Sequence, residues 1–355
     1  MGSITLLGID LAKNVYHVHG VDSSGNKQMS KKLTRKTLFE FVSNLKSCSI
    51  AMEACAGAHF LARKFKSYGH DVKLIAPQYV KPFVKGNKND AADAEAICEA
   101  ANRPSMRFVS IKNTDQQDTQ SVHRIRERLQ KNRTALMNEI RGLLYEYGVV
   151  INKGRSPLEK AIKGLLNGSV DQYDLTQGAI KMLQSLYSEL LDTEQRVSQC
   201  ELDLKVIAQQ PICKRLSKIG GLGLISITAL SVALADPQQY KNGRNFAAWL
   251  GLIPKHEGTG GKNKIMGISK RGNRYIRSLL VHGARSKLRA IQIKVSRQIA
   301  LDPLETWAFH LYSKRGWNKT CVAMANKNAR IAWAVTANKI DYDANKAACK
   351  IIAAA

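Results

Sequence analysis

Apolar and polar positions change period several times along the chain, and each change marks a structural unit. Ile4 to Ile9 is almost continuously apolar, and Val15 to Val21 alternates with many β-branched residues. Asp22-Ser23-Ser24-Gly25-Asn26 then reads as a hairpin turn, so residues 4–33 predict three short strands. Thr34 is suited to cap a helix running to Leu45, with Leu38, Phe41, Val42 and Leu45 on one face. Ile50 to Glu53 predicts a fourth strand and His59 to Tyr68 a helix ended by Gly69. Val72 to Ala76 predicts a fifth strand stopped by Pro77, and the Ala-rich stretch Asp90 to Ala101 a closing helix.

Three antiparallel strands followed by alternating helix and strand is the order of a ribonuclease-H-like α/β fold. Residues 115–148 then switch to a helical period, with Val122, Ile125, Leu129, Leu136, Ile140, Leu143 and Tyr147 amid Arg, Lys and Glu. The seam resembles a coiled coil with Asn132 at a core position. Residues 176–208 repeat it through Ile180, Leu183, Leu190, Val197, Leu204 and Ile207, while 149–175 are weakly patterned. The pair predicts an antiparallel helical arm. From Pro211 the chain reads as helical and glycine-punctuated. Lys218-Ile219-Gly220-Gly221-Leu222-Gly223, followed by a helix from Ile225 to Leu234, predicts a helix-hairpin-helix-like element that could meet phosphate. The expected units are a nuclease-like domain over 1–110, a coiled-coil arm over 111–210, a mainly α domain over 211–335 and a tail over 336–355.

Charge narrows the function. Lys and Arg number 55 against 28 Asp and Glu, a formal net charge of +27, which points to a polyanionic partner. Aromatics make up only 6%, which argues against base-stacking platforms as the main binding mode. The basic residues concentrate: 258–301 holds eleven Lys or Arg and no Asp or Glu. Within it Lys262, Lys264, Lys270, Arg271, Arg274, Arg277 and Arg285 are the expected nucleic-acid contacts. Seven scattered cysteines without a C-x-x-C spacing suggest reduced thiols, with neither disulfide frame nor zinc site. No signal peptide or membrane-spanning run is apparent, so a cytoplasmic location without a membrane partner is expected.

Against this basic background four carboxylates stand out. Asp10 and Glu53 each end an apolar run, and Asp90 and Asp93 share one helix face at i and i+3. In a sheet of the expected order the first and fourth strands are neighbours, so Asp10 and Glu53 would flank one crevice with the helix across it. Converging carboxylates repel in a low dielectric unless a cation neutralises them. The expected cofactor is therefore Mg2+ or Mn2+, two ions about 3.5–4 Å apart, suited to phosphodiester chemistry. Read singly, each acid also has a structural explanation: turn or helix capping, favourable placement at a helix N-terminus, or a salt bridge from Glu53 to Lys13 or Lys73.

Gly8-Ile9-Asp10-Leu11-Ala12-Lys13, Met52-Glu53-Ala54-Cys55-x-Gly57-Ala58-His59 and Lys88-Asn89-Asp90-Ala91-Ala92-Asp93-Ala94-x-x-Ile97 resemble the DEDD transposases of insertion sequences, the "IS one-ten" family and within it the "IS eleven-eleven" branch. Phe246 to Pro254, Gly260-Gly261-Lys262, Gly267 to Asn273 and His282-Gly283-Ala284-Arg285 extend the resemblance over nearly the whole chain. The resemblance implies a RuvC-like nuclease domain, a coiled-coil arm and a C-terminal transposase domain. It further implies a structured non-coding guide (bridge) RNA that pairs with donor and target double-stranded DNA, and dimers and tetramers of the protein. It also implies a covalent hydroxyl–phosphate intermediate formed by a C-terminal serine. This chain departs there, with Thr259 before Gly260-Gly261-Lys262 where many relatives carry Ser. Thr259 is the expected nucleophile, with Ser269 in reserve as nucleophile or helix cap. The alternative function is a RuvC-like junction resolvase using metal-activated water.

Overall fold

The computed structural model describes residues 3–84, 89–168, 173, 175–259 and 262–345, with the backbone alone for Thr259, Lys262 and Asn263. Two compact units divide the chain, residues 1–117 and 118–355.

The first unit is built on a six-stranded sheet. Its strands are β1 (Leu6–Leu11), β2 (Val15–Val21), β3 (Lys27–Thr34), β4 (Ser49–Glu53), β5 (Asp71–Ile75) and β6 (Phe108–Val109), in the spatial order β3-β2-β1-β4-β5-β6. β1, β2 and β3 pair antiparallel, whereas β1–β4 and β4–β5 are parallel, as crossovers through helices require. Alternation along each strand sends its side chains to two separate cores. Leu7, Ile9, Val18, Ile50, Met52 and Leu74 meet α1 (Arg35–Asn44) and α2 (Ala58–Ser67) on one face. Leu6, Val21, Ala51 and Ile75 meet α4 (Asp90–Ala101) on the other, after the short helix α3 (Pro77–Val80). A capping box between Thr34 and Thr37 starts α1. Asn89 caps α4 by accepting from the Ala92 amide at 2.8 Å, so Asp90 and Asp93 occupy its first turn.

In the second unit the two long helices appear as α5 (Thr114–Tyr145) and α7 (Gln177–Ile207). Leu129 meets Val197 and Cys200, and Arg126 reaches Glu201 at 2.6 Å, which makes the pair antiparallel. Two sequence expectations need correction. The linking segment forms a third helix, α6 (Arg155–Leu166), whose Leu158, Ile162 and Leu165 pack with Leu136, Ile140, Leu144, Leu183 and Leu190. The far end is therefore a three-helix cluster rather than a two-stranded coil. The seam itself also runs elsewhere: Asn132 is exposed and Ile125 is 43% exposed, while His123 and Arg126 are buried. His123 is held by the Tyr275 hydroxyl at 3.0 Å, and burial, followed by the nearby Arg126 charge, pushes its pKa down to about 4. A polar partner thus lets a histidine take a place that the hydrophobic pattern gave to isoleucine.

The remaining core gathers α8 (Pro211–Leu216), α9 (Leu224–Ala233), α10 (Gly243–Trp249), α11 (Arg274–Ser296), α12 (Pro303–Arg315) and α13 (Trp317–Ala337) around Phe246, Leu280, Leu288 and Ala329. Between α10 and α11 a hairpin of β7 (Pro254–Thr259) and β8 (Lys262–Ile268) interrupts what reads in sequence as helix. The glycine turn between α8 and α9 lies against α11. Gly221 has φ +88, and a Cβ at Gly283 would come 1.9 Å from the Gly221 carbonyl oxygen. Close packing accounts for these glycines, and the helix-hairpin-helix reading is not confirmed. Among the described residues no helix is long and apolar enough to cross a membrane.

Candidate metal and strand-transfer site

Asp10 lies inside β1, one residue beyond the parallel Ile9–Met52 pairing and opposite His17 on β2. Because Ile9 and Met52 face α1 and α2, Asp10 faces α4. Gly8, two residues earlier, shares that face. A Cβ on Gly8 would come 2.5 Å from the Ala94 carbonyl oxygen and 2.7 Å from the Cys98 sulfur. Glycine there lets α4 lie on β1, and α4 carries Asp90 and Asp93 at the end nearest Asp10. Oxygens of Asp10, Asp90 and Asp93 all fall within 4.8 Å of one another.

Glu53 is not part of that set. It ends β4 on the same sheet face as Asp10, one strand away at the usual spacing of about 4.8 Å. Its charge and that of Asp10 act on the same neighbour: burial first, then Glu53 and Asp10, pushes the Cys55 thiol pKa up. Of the four sequence-predicted carboxylates, the structure brings three together and leaves the fourth beside them.

The electrostatics fit a cation. Burial, and then the charges of Asp93 and Asp90, raise the Asp10 carboxyl above its ordinary pKa. Among the described residues neither Asp10 nor Asp93 has a Lys or Arg within ion-pair distance, whereas Asp90 has His17 Nε2 at 3.5 Å. Three carboxylates, hard oxygen donors left short of positive charge, are suited to a hard divalent cation. His17 is the residue that sequence reasoning missed. The signal was present, because counting across the tight 12–14 turn between β1 and β2 puts it opposite Asp10 in an alternating strand.

The C-terminal candidates are scattered around the hairpin. Thr259 is the last residue of β7, and its side chain, like that of Lys262, lies outside the described residues, as do Gly260 and Gly261. Ser269 is half-buried, and its amide donates to the Ile253 carbonyl at 2.8 Å. It does not cap α11, because Asn273 does, accepting from the Ile276 amide at 3.0 Å. Lys264, Lys270, Arg271, Arg274 and Arg285 are exposed. Arg277 is different: it is half-buried and donates to the Leu250 carbonyl at 2.8 Å, tying α11 to the turn after α10. Gly272, at φ +91, sits where a Cβ would be 1.8 Å from the Trp249 carbonyl oxygen, so the same turn is locked by glycine.

A mixed α/β sheet with an acidic cluster at its centre, joined to a mainly helical C-terminal region, fits a DEDD-type, ribonuclease-H-like DNA transposase. Residues 7–149 match the DEDD transposase model of IS110 elements, and residues 213–299 match the "Transposase IS116/IS110/IS902 family". The chain is 42% identical to a probable family 20 transposase of Pseudomonas aeruginosa, over 96% of this chain and 99% of that one. It is 40% identical to the transposase for insertion sequence element IS1111A of Coxiella burnetii, over 96% and 92%. It is 38% identical to the transposase for IS1328 of Yersinia enterocolitica, over 95% and 98%. The chain belongs to the IS110 family of DEDD transposases.

Proposed function

We propose that this transposase excises and inserts its own insertion sequence by divalent-metal-dependent cleavage and exchange of DNA strands, directed by a structured RNA encoded with the element. The convergence of Asp10, Asp90 and Asp93 carries the reading. Asp10, Asp90, Asp93 and, from the next strand, Glu53 would hold Mg2+ or Mn2+, with two ions per site. When bound, the metal supplies charge neutralisation and polarises phosphodiester oxygens. The exposed cations of the 258–301 stretch hold the DNA and RNA backbones, and base pairing supplies sequence choice.

Thr259 is the proposed nucleophile. Its hydroxyl gives up its proton as the oxygen bonds to phosphorus, the ester bond to one flanking nucleoside oxygen breaks, and that leaving oxygen takes up a proton in turn. The resulting protein–DNA ester preserves the phosphate for exchange onto a second strand. A secondary alcohol is more hindered than the serine of many relatives and needs activation by the acidic centre, supplied by another subunit of a tetramer. Ser269 is the reserve. The resolvase alternative is not favoured, since relatives matched along the whole chain are named transposases.

Incubation of the full-length protein and its co-purifying RNA with DNA spanning an element end tests this. Mg2+-dependent cleavage should be abolished by Asp10→Asn and by Asp93→Asn; full activity in both would overturn the site assignment. Thr259→Ala should also abolish the denaturant-stable protein–DNA adduct, and an adduct that persists moves the nucleophile to Ser269 or elsewhere.

A further inference from the structure

A groove of about 760 Å3 opens in the C-terminal core between α10, α13 and the segment that follows α13. Arg244, Lys327 and Arg330 all line it, and none belongs to the basic stretch 258–301. Backbone packing forces two of them together. A Cβ on Gly243 would meet the Arg330 carbonyl oxygen at 2.9 Å and its Cα at 3.1 Å, so glycine lets α10 rest directly on α13 with Arg244 beside Arg330. Burial and the Arg244 charge pull the Arg330 pKa down, and burial and Arg330 in turn bring Lys327 to about 8. The Lys327 ammonium also stands 5.7 Å from the Trp307 ring centroid.

Among the described residues, none of these three cations has a carboxylate within ion-pair distance. The acids on the rim are engaged elsewhere: Asp341 takes Lys218 at 2.7 Å, and Asp343 accepts from the Asn345 amide at 2.9 Å. Crowded like charges raise the free energy of the protein unless an anion neutralises them. The groove also has aromatic walls. Trp333 is fixed there by its indole N–H donating to the Pro237 carbonyl at 2.9 Å, and Tyr342 also lines the groove. A spaced set of cations with flat apolar walls fits a chain of phosphates linked through sugars better than a lone inorganic anion.

We propose that this groove is a second phosphodiester-binding site, which takes backbone phosphates of a nucleic-acid strand on Arg244, Lys327 and Arg330, apart from the 258–301 surface. The proposal rests on the nucleic-acid reading above and adds a place for a strand that the acidic centre does not hold. DNA and RNA offer the same phosphate chemistry, and the experiment separates them.

The test measures binding of the full-length protein to a fluorescent DNA duplex and to a fluorescent single-stranded RNA across a salt series, in EDTA so that no strand is cut. The double variant Arg244→Gln/Arg330→Gln should bind at least one of them several-fold more weakly. The slope of log affinity against log salt should become shallower by about 1.8 for duplex DNA or about 1.4 for single-stranded RNA, since each lost phosphate contact removes about 0.9 or 0.7. Whichever nucleic acid shows the change is the groove's occupant. Arg244→Lys/Arg330→Lys, which keeps the charge, should restore the slope, and an unfolding midpoint no lower than that of the wild type in both variants excludes a folding defect as the cause. Wild-type binding with an identical slope in the Gln variant overturns this proposal alone. Failure of the wild type to bind either nucleic acid overturns the underlying reading as well.

Discussion

Replacing Asp10 by asparagine should make the metal-free protein more stable. Asp10, Asp90 and Asp93 present oxygens within 4.8 Å of one another. Two unit charges at that distance repel by about 3.5 kcal/mol at an effective dielectric constant of about 20, and by about 0.9 kcal/mol in water. The Asp90 side chain is 63% exposed, so its share lies near the lower figure, while Asp93 is half-buried beside a half-buried Asp10. Removing the Asp10 charge should therefore stabilise the apo protein by roughly 1–3 kcal/mol. The pH dependence has a definite sign. The folded Asp10 pKa is raised above its unfolded value, so the folded state holds more protons between the two, and stability falls as pH rises through that window. Asparagine should flatten this slope. Urea unfolding in EDTA from pH 4 to 7, read by circular dichroism, measures both effects. Mg2+ at about 1,000 times its Kd should reverse the order, because it stabilises the wild type by about 4.1 kcal/mol. An Asp10→Asn protein equal to or less stable than wild type in EDTA would refute the reasoning.

Other outcomes follow from single features. Glu305 is 1% exposed, and although burial pushes its pKa up, hydrogen bonds from Lys287, Lys294 and the Asp302 amide hold it at about 2. Its stabilisation is complete above the unfolded pKa and is lost as pH falls towards 2. Glu305→Gln should cost about 2–3 kcal/mol at pH 7, discounted for the partly exposed lysines, and progressively less in acid unfolding experiments. Gly283→Ala should cost at least about 2 kcal/mol in urea unfolding, because the new methyl would meet the Gly221 carbonyl oxygen at 1.9 Å, backbone against backbone. Gly8→Ala should lift α4 off β1 and weaken Mn2+ binding in calorimetry even where the variant stays folded.

The sheet and its acids were largely legible because they obey short-range rules. Period-two strands, a five-residue turn and a capped Ala-rich helix each leave a local mark. α4 spans Asp90 to Ala101 in the structure as in the sequence reading. What the sequence hid depends on contacts between distant segments. His123 occupies the seam of α5 where Tyr275, 152 residues away, partners one of its two ring nitrogens, Nδ1. The β7–β8 hairpin has no alternating apolar face, since β8 reads Lys-Asn-Lys-Ile-Met-Gly-Ile and its neighbouring Ile265 and Met266 are both exposed, at 69% and 43%. α6 escaped notice because its apolar stripe is short and closes against two other helices. His17 became a site residue only through the cross-strand register that sets it opposite Asp10.

Calorimetric titration of Mn2+ into the metal-free, full-length protein tests the central assignment most directly. Saturable binding in the wild type, weakened by at least about tenfold in Asp93→Asn, is the predicted result. Indistinguishable isotherms for the two proteins would contradict it.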